Sequence, residues 1–313
     1  MKILILKKLR IALIGLGDIA QKAYLPIIAN HQEIQPILCT RNAATLANLQ
    51  RQYRIDEGYK TIAELIATQP DAVMIHSATA SHFQIAKQCL EAGIATFVDK
   101  PLSYSLAECE ILISLARDKD LPLYIGFNRR FAPLITPLSE RAFTHVRWQK
   151  NRVALPALAR EFIYDDYIHV LDGLLFLSGC KSFEKIENIN VHAITQDNLL
   201  CSLHSNFTIN GTLFEGSMNR ISGHTEERVE VFLSDEKVQI ESLTKGEHYQ
   251  SGTLTLLGFN DWQSHLYTRG FIDMIDNWLD DIKSGLSNDS RLREIQMSHQ
   301  LCEHMMTEIL AQK

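Results

Sequence analysis

Arg10-Ile11-Ala12-Leu13-Ile14-Gly15-Leu16-Gly17-Asp18-Ile19-Ala20-Gln21-Lys22-Ala23-Tyr24-Leu25-Pro26 is the most informative stretch of this chain. Its apolar run 11–14 reads as a strand buried on both faces and passes at once into Gly15-x-Gly17-x-x-Ala20. The first glycine permits a tight turn, the second removes a side chain where a pyrophosphate approaches the backbone, and the small Ala20 lets helix and strand pack closely. Apolar residues then recur at helical spacing (Ile19, Ala23, Ile27), so a helix aims its free N–H groups and positive dipole end at that phosphate. Glycine pairs also make ordinary strand-to-helix turns. Here the strand before, the helix after and a second strand over 33–40 supply the context of a dinucleotide site.

Outward from this turn, strand and helix candidates alternate up to Gly126, with strands at 10–15, 33–40, 71–77, 94–99 and 121–126. That is the rhythm of a doubly wound parallel sheet with helices on both faces, an α/β Rossmann domain over 1–126. Gly93 reads as a helix C-cap, and Ser105 with Glu108 as a capping box. After Phe131-Ala132-Pro133 the rhythm changes: a strand at 144–150, an apolar helix at 165–178, strand candidates at 186–196, 199–208, 211–219, 227–234 and 237–242, and helices at 264–284 and 291–311. Several of these strands alternate polar and apolar residues, as in Arg228-Val229-Glu230-Val231-Phe232, so one sheet face is covered and one open. The expected second domain, 127–313, is α+β with an open-faced, mainly antiparallel sheet.

A length of 313 residues suits two domains, and a hydrophobic content of 46% is enough for a core in each. The net charge of −6, with Lys and Arg dispersed, points away from nucleic acid and membrane surfaces and towards a small-molecule partner. Six separated cysteines, with no C-x-x-C, read as buried thiols of a reducing compartment. Met1-Lys2-Ile3-Leu4-Ile5-Leu6 is too short for a signal segment, and no run reaches the length of a membrane helix. A cytoplasmic protein is expected.

The second strand ends in Cys39-Thr40-Arg41-Asn42, without the acid that binds a ribose 2′-hydroxyl in NAD sites. A hydroxyl followed by a guanidinium suits a 2′-phosphate, which favours NADP(H) over NAD(H); otherwise Arg41 is a solvated loop residue. The next strands end in His76-Ser77-Ala78-Thr79-Ala80-Ser81-His82 and Val98-Asp99-Lys100-Pro101-Leu102. Both endings fall on the carboxyl edge of a parallel sheet, where ligands bind. Lys100 can there hydrogen-bond a substrate hydroxyl and favour its alkoxide. In the second domain, Asp165, His169 and Asp172 follow i, i+4, i+7 spacing on a helix too apolar for the surface. Buried ionisable groups need partners or a wet cavity. His169 is then a proton acceptor with Asp165 holding its ring. On spacing alone, Asp165 or Asp166 as a capping acid and His169 as a core histidine fit equally well. Asp165-x-x-x-His169 supplies two ligands only, so no metal site is expected.

Together, Gly15-Leu16-Gly17-Asp18-Ile19-Ala20, 77–82, Val98-Asp99-Lys100-Pro101-Leu102, Gly126-Phe127-Asn128-Arg129-Arg130-Phe131 and Asp165-x-x-x-His169-x-x-Asp172 resemble the Gfo/Idh/MocA family of nicotinamide-dependent oxidoreductases over nearly the whole chain. The resemblance implies a Rossmann domain joined to an open-faced sheet domain, a homodimer or higher homo-oligomer through that sheet, Lys100 and His169 as catalytic residues, and Asp165 as the accompanying acid. It implies cofactor contacts at Gly15, Gly17, Asp18, Ile19 and Ala20, at Thr40, Arg41 and Asn42, at Ser77, Ala78, Thr79 and His82, at Asp99, Lys100 and Pro101, and at Asn128. Lys100, Tyr167 and His169 would meet the substrate. Asp99 stands where the family has Glu, which shortens an arm near the cofactor. Tyr167 stands where many members have Gly and is expected to narrow the pocket, and His76 and Ala78 replace a small residue and Pro. The expected activity is hydride transfer between NADP(H) and a secondary alcohol or ketone of a sugar, polyol or sugar derivative. The alternative is a non-catalytic dinucleotide sensor of the same fold, which would have no need of Lys100, Asp165 and His169 together.

Overall fold

The structure, a computed structural model, describes residues 8–139 and 141–312, so the apolar stretch 1–6 lies outside the described residues. Two compact units divide at Gly126, and the segment Ile275–Leu292 belongs with the first.

The first unit is built on β1 (Leu9–Ile14), β2 (Ile34–Cys39), β3 (Gly58–Tyr59), β4 (Ala72–Ile75), β5 (Ala95–Val98) and β6 (Leu123–Ile125). They form one sheet in the order β3-β2-β1-β4-β5-β6, parallel throughout. Every residue of β4 and β5 is buried, as a sheet covered on both faces demands. The strand order reverses between β1 and β4, and the carboxyl ends of those strands border the crevice where ligands of such sheets sit. Asn42 caps the helix Ala43–Tyr53, and Thr61 with Glu64 closes a capping box on Ile62–Ala67. The box expected at Ser105 is half made: Ser105 accepts from the Glu108 amide, while the Glu108 carboxylate takes the Ser103 hydroxyl instead. Gly93, at φ +80°, ends its helix as expected. Trp278 holds the distant segment in place, its ring edge-on to Phe97 at 5.3 Å, with Arg291 4.3 Å above the Tyr124 ring.

The second unit carries an eight-stranded sheet of β7 (His145–Asn151), β8 (Glu187–Gln196), β9 (Leu199–Ile209), β10 (Thr212–Asn219), β11 (Glu226–Leu233), β12 (Glu236–Glu241), β13 (Lys245–Gln250) and β14 (Thr253–Leu257). The order is β14-β13-β12-β11-β7-β10-β9-β8, antiparallel except where β7 meets β10. β13 and β14 extend the sheet beyond the strands expected from the sequence, and both are largely exposed on both faces. Their hairpin turns at Ser251-Gly252, with φ of 49° and 77°, the conformation a primed turn requires. One face of the sheet is covered by a continuous helical run: Ala159–Phe162, a π-helical turn Ile163–Tyr167, then Ile168–Ser178. Gly173 is required there, because any side chain would overlap the Trp148 ring. All six cysteines are buried and free of disulfides. Among the described residues no helix is long and apolar enough to cross a membrane.

Candidate active site

The turn after β1 is shaped by one backbone angle. Gly15 sits at φ +83°, and a Cβ there would lie 2.5 Å from the Ser77 amide nitrogen and 2.7 Å from its Cα. Gly17 has the opposite surroundings, with nothing within 4 Å of where its Cβ would be. A pinched first glycine and a bare, open second one make the cradle a pyrophosphate needs, and the helix opening at Asp18 presents its free amides there. The residues present therefore fit a dinucleotide. Gly15→Ala combines left-handed strain with a backbone overlap, so it should cost about 3 kcal/mol. A thermal melt reads this as a fall in Tm, and an unchanged melt would contradict it.

Around the crevice the ends of β4 and β5 are tied together by His82. Its Nδ1 lies 2.8 Å from the Pro101 carbonyl and its Nε2 2.9 Å from the Ser77 carbonyl. His82, 2% exposed, thus spends its ring on holding two ligand-edge loops in register rather than on reaching a ligand. Ser77 is further fixed by its hydroxyl, 2.7 Å from that of Ser81. Lys100, half-buried, is the second residue after β5, and the Lys100–Pro101 bond is cis. Its neighbour Asp99 accepts a hydrogen bond of 3.1 Å from the Tyr24 hydroxyl. Burial raises the Asp99 carboxyl above its ordinary range, against the opposing pull of Lys100 and His82. Behind it the His76 ring packs 4.0 Å from Tyr24. Both His76 nitrogens lack hydrogen-bond partners among the described residues. Burial first, and then His82, pull it down to about 3, which leaves it a neutral filler.

At the end of β2, Arg41 is exposed. The Asn42 side chain accepts from the amides of Ala44 and Thr45, both at 3.0 Å. Asp18, also exposed, pairs with Lys22 at 2.7 Å. Asn128 belongs to the second unit, where its amide donates to the Arg269 carbonyl at 2.8 Å and its oxygen accepts from Arg129 at 3.3 Å. The side chains of Asn42, His82 and Asn128, all expected at the cofactor, are thus engaged within the fold.

In the second unit the helical run starts at Ala159, six residues before Asp165, so neither Asp165 nor Asp166 is a capping acid. His169 is 7% exposed and Asp165 half-buried. The third member of the expected stripe is occupied elsewhere. Asp172 accepts from the Arg130 Nε at 2.9 Å and from the Ser298 hydroxyl at 3.0 Å, and Arg130 also pairs with Glu294. Tyr167 requires a correction. It is fully buried, its hydroxyl 2.7 Å from that of Ser205 on β9, and it lies against the backbone of Gly216 on β10. The phenol faces the sheet, where two small residues leave room for it, and it narrows no substrate pocket.

Asp166 has a role that its spacing does not announce. Its carboxylate is paired with Lys150 and hydrogen-bonded by the Arg152 Nε at 2.9 Å. Burial opposes ionisation, yet Lys150 and Arg152 hold it far below the ordinary carboxylate range. Beside it Arg129 grips Glu227 with two bonds of 2.6 and 3.0 Å, and the Trp148 indole donates to the same carboxylate at 3.1 Å. Glu227 is brought down to about 2, burial again being outweighed by Arg129 and Lys150. The period of two along β7, buried at Val146, Trp148 and Lys150, carried a signal for this cluster: a lysine on a covered face needs a partner.

A six-stranded dinucleotide sheet with a lysine at its carboxyl edge, joined in one chain to a sheet domain with a buried histidine helix, defines a nicotinamide-dependent dehydrogenase. Residues 9–127 match the oxidoreductase family with an NAD-binding Rossmann fold, and residues 138–251 match the YceM-like C-terminal domain. The chain is 31% identical over 288 residues to YceM from Salmonella typhimurium, covering 89% of this chain and 91% of that one. It is 27% identical over 222 residues to the UDP-N-acetylglucosamine 3-dehydrogenase of Acidithiobacillus ferrooxidans, 69% of this chain and 70% of that enzyme. The crystal structure of a Gfo/Idh/MocA family oxidoreductase from Vibrio cholerae superposes with a TM-score of 0.91 at 36% identity, over 97% of this chain and 99% of that one. The chain belongs to the Gfo/Idh/MocA family of oxidoreductases, and it is an NAD(P)-dependent oxidoreductase.

Proposed function

We propose that this protein uses NADP(H) to interconvert a secondary alcohol and a ketone on a sugar, polyol or sugar derivative. The observation that carries the cofactor preference is the end of β2: an exposed Arg41 follows Thr40, and no acid stands there to bind a ribose 2′-hydroxyl. The bare turn at Gly15 and Gly17 would hold the pyrophosphate, and Thr40 and Arg41 the 2′-phosphate. The nicotinamide, when bound, supplies or accepts the hydride. Lys100 donates a hydrogen bond to the substrate oxygen and stabilises negative charge on it. His169 takes or returns the proton of that oxygen, and Asp165 orients the imidazole. The sugar-type substrate is supported by the relative named above, and self-association through the open face of the eight-stranded sheet is part of the proposal.

Replacing Arg41 by Ala removes a charge-assisted contact. NADPH should then bind about tenfold or more weakly, with NADH affinity unchanged. Fluorescence titration of both nucleotides checks this, and an equal loss for both would refute the 2′-phosphate role. Turnover itself is tested by absorbance at 340 nm with NADP⁺ across a sugar and polyol panel.

A further inference from the structure

The cluster beside Asp166 is rich in cations. Arg129, Lys150, Arg152, Arg220 and Arg269 act on shared neighbours there, and among the described residues Asp166 and Glu227 are ion-paired with members of the set. Glu227 is fully used by Arg129 and Trp148, and Asp166 by Lys150 and Arg152. Arg220 reaches Asp166 only at 3.7 Å. Its Nε, on a side chain 7% exposed, has no hydrogen-bond partner among the described residues, and the same is true of the Arg269 Nε. Asp165 and Glu161 also pull Arg220 upward. Burial, followed by the neighbouring guanidinium of Arg152, pulls Arg220 below its ordinary value. Arg269 is lowered by burial and by Arg129 and Arg152. A buried guanidinium nitrogen left without an acceptor is costly. The planar fork matches a carboxylate or a phosphate, so an incoming oxyanion would supply the missing acceptors.

We propose that Arg152, Arg220 and Arg269 form an oxyanion subsite, and that the substrate is an acidic sugar or polyol derivative bearing a carboxylate or a phosphate. This rests on the dehydrogenase reading above and narrows its substrate class. Asp166 ties the subsite to the helical run that carries His169, three residues further on, so the anionic group is held close to the reacting carbon.

Calorimetric titration with glucuronate, glucose 6-phosphate and uncharged glucose, with and without NADPH, tests the subsite. At least one anionic probe should bind about tenfold or more tightly than glucose, and which of the two wins separates carboxylate from phosphate. In the double variant Arg220→Gln, Arg269→Gln that advantage should fall to about threefold or less, with NADPH affinity retained as the check on folding. Should that variant fail to fold, the wild type still decides. Raising salt from about 0.05 M to about 0.5 M should weaken the anionic probe several-fold and leave glucose unaffected. Equal binding of charged and neutral probes, no binding of either anion, or an advantage insensitive to both the arginines and salt would overturn the proposal. Absorbance at 340 nm is read separately. Arginine-dependent anion binding without any nicotinamide turnover would keep the subsite and remove the dehydrogenase reading. Turnover of neutral polyols with no gain from charge would do the reverse.

Discussion

Lys100→Ala should lower kcat by about 10²- to 10³-fold while NADPH affinity stays within about threefold of the parent. The split follows from where the residue stands. In the proposed reading the glycine turn and the end of β2 hold the nucleotide through backbone amides and Arg41, whereas Lys100 lies just past β5 at the carboxyl edge of the sheet, where a substrate oxygen is expected. An ammonium hydrogen-bonded to that oxygen is worth most when the oxygen carries charge, so its loss falls on the transition state rather than on binding. The loop that presents it remains in place in the variant, because His82 clamps Pro101 to Ser77 without help from the lysine side chain. Steady-state kinetics beside a nucleotide titration give both numbers. Unchanged turnover would remove Lys100 from the chemistry, and an equal collapse of nucleotide binding would make it a cofactor ligand instead.

His169→Asn should lower kcat by about 10²- to 10⁴-fold, the range for loss of a positioned general base. The substitution keeps a polar side chain of similar reach on a helix that is otherwise buried from Ile168 to Leu175, so folding should survive. A merely structural histidine would lower Tm and leave kcat per folded molecule intact. A general base also controls the pH dependence, so the variant should lose the rise of alcohol oxidation with pH expected of the parent. Full activity at an unchanged pH profile would refute the assignment.

Much of this was legible because the signals are local. The β1 turn is written in six consecutive residues, and its helix and strand neighbours follow within the reach of short-range periodicity. Strands β8 to β12 announce themselves by alternation, since one face of their sheet is covered and the other open. The parts that were not legible depend on distant or phase-shifted contacts. Nothing in the helix Phe271–Ser284 says that Trp278 will meet Phe97, some 180 residues earlier, and so draw the segment Ile275–Leu292 into the first unit. The adjacent acids Asp165 and Asp166 cannot be ranked by spacing, because the π-helical turn Ile163–Tyr167 departs from the 3.6-residue period on which the stripe was counted. That is why Asp166 emerges as the charge hub. Asp172 has helical spacing to His169 but is consumed by Arg130, a residue of the 3₁₀ turn Asn128–Phe131. Tyr167 looks like a pocket wall only until Ser205 and Gly216 are seen to make space for it on the sheet.

The most direct test of the account is a pair of titrations of the purified protein, with NADPH and with NADH, followed by nucleotide fluorescence. Saturable binding of both is expected, with NADPH tighter by about tenfold or more through Thr40 and Arg41. NADH binding as tightly as NADPH would contradict the 2′-phosphate assignment, and failure of either nucleotide to bind would contradict the account as a whole.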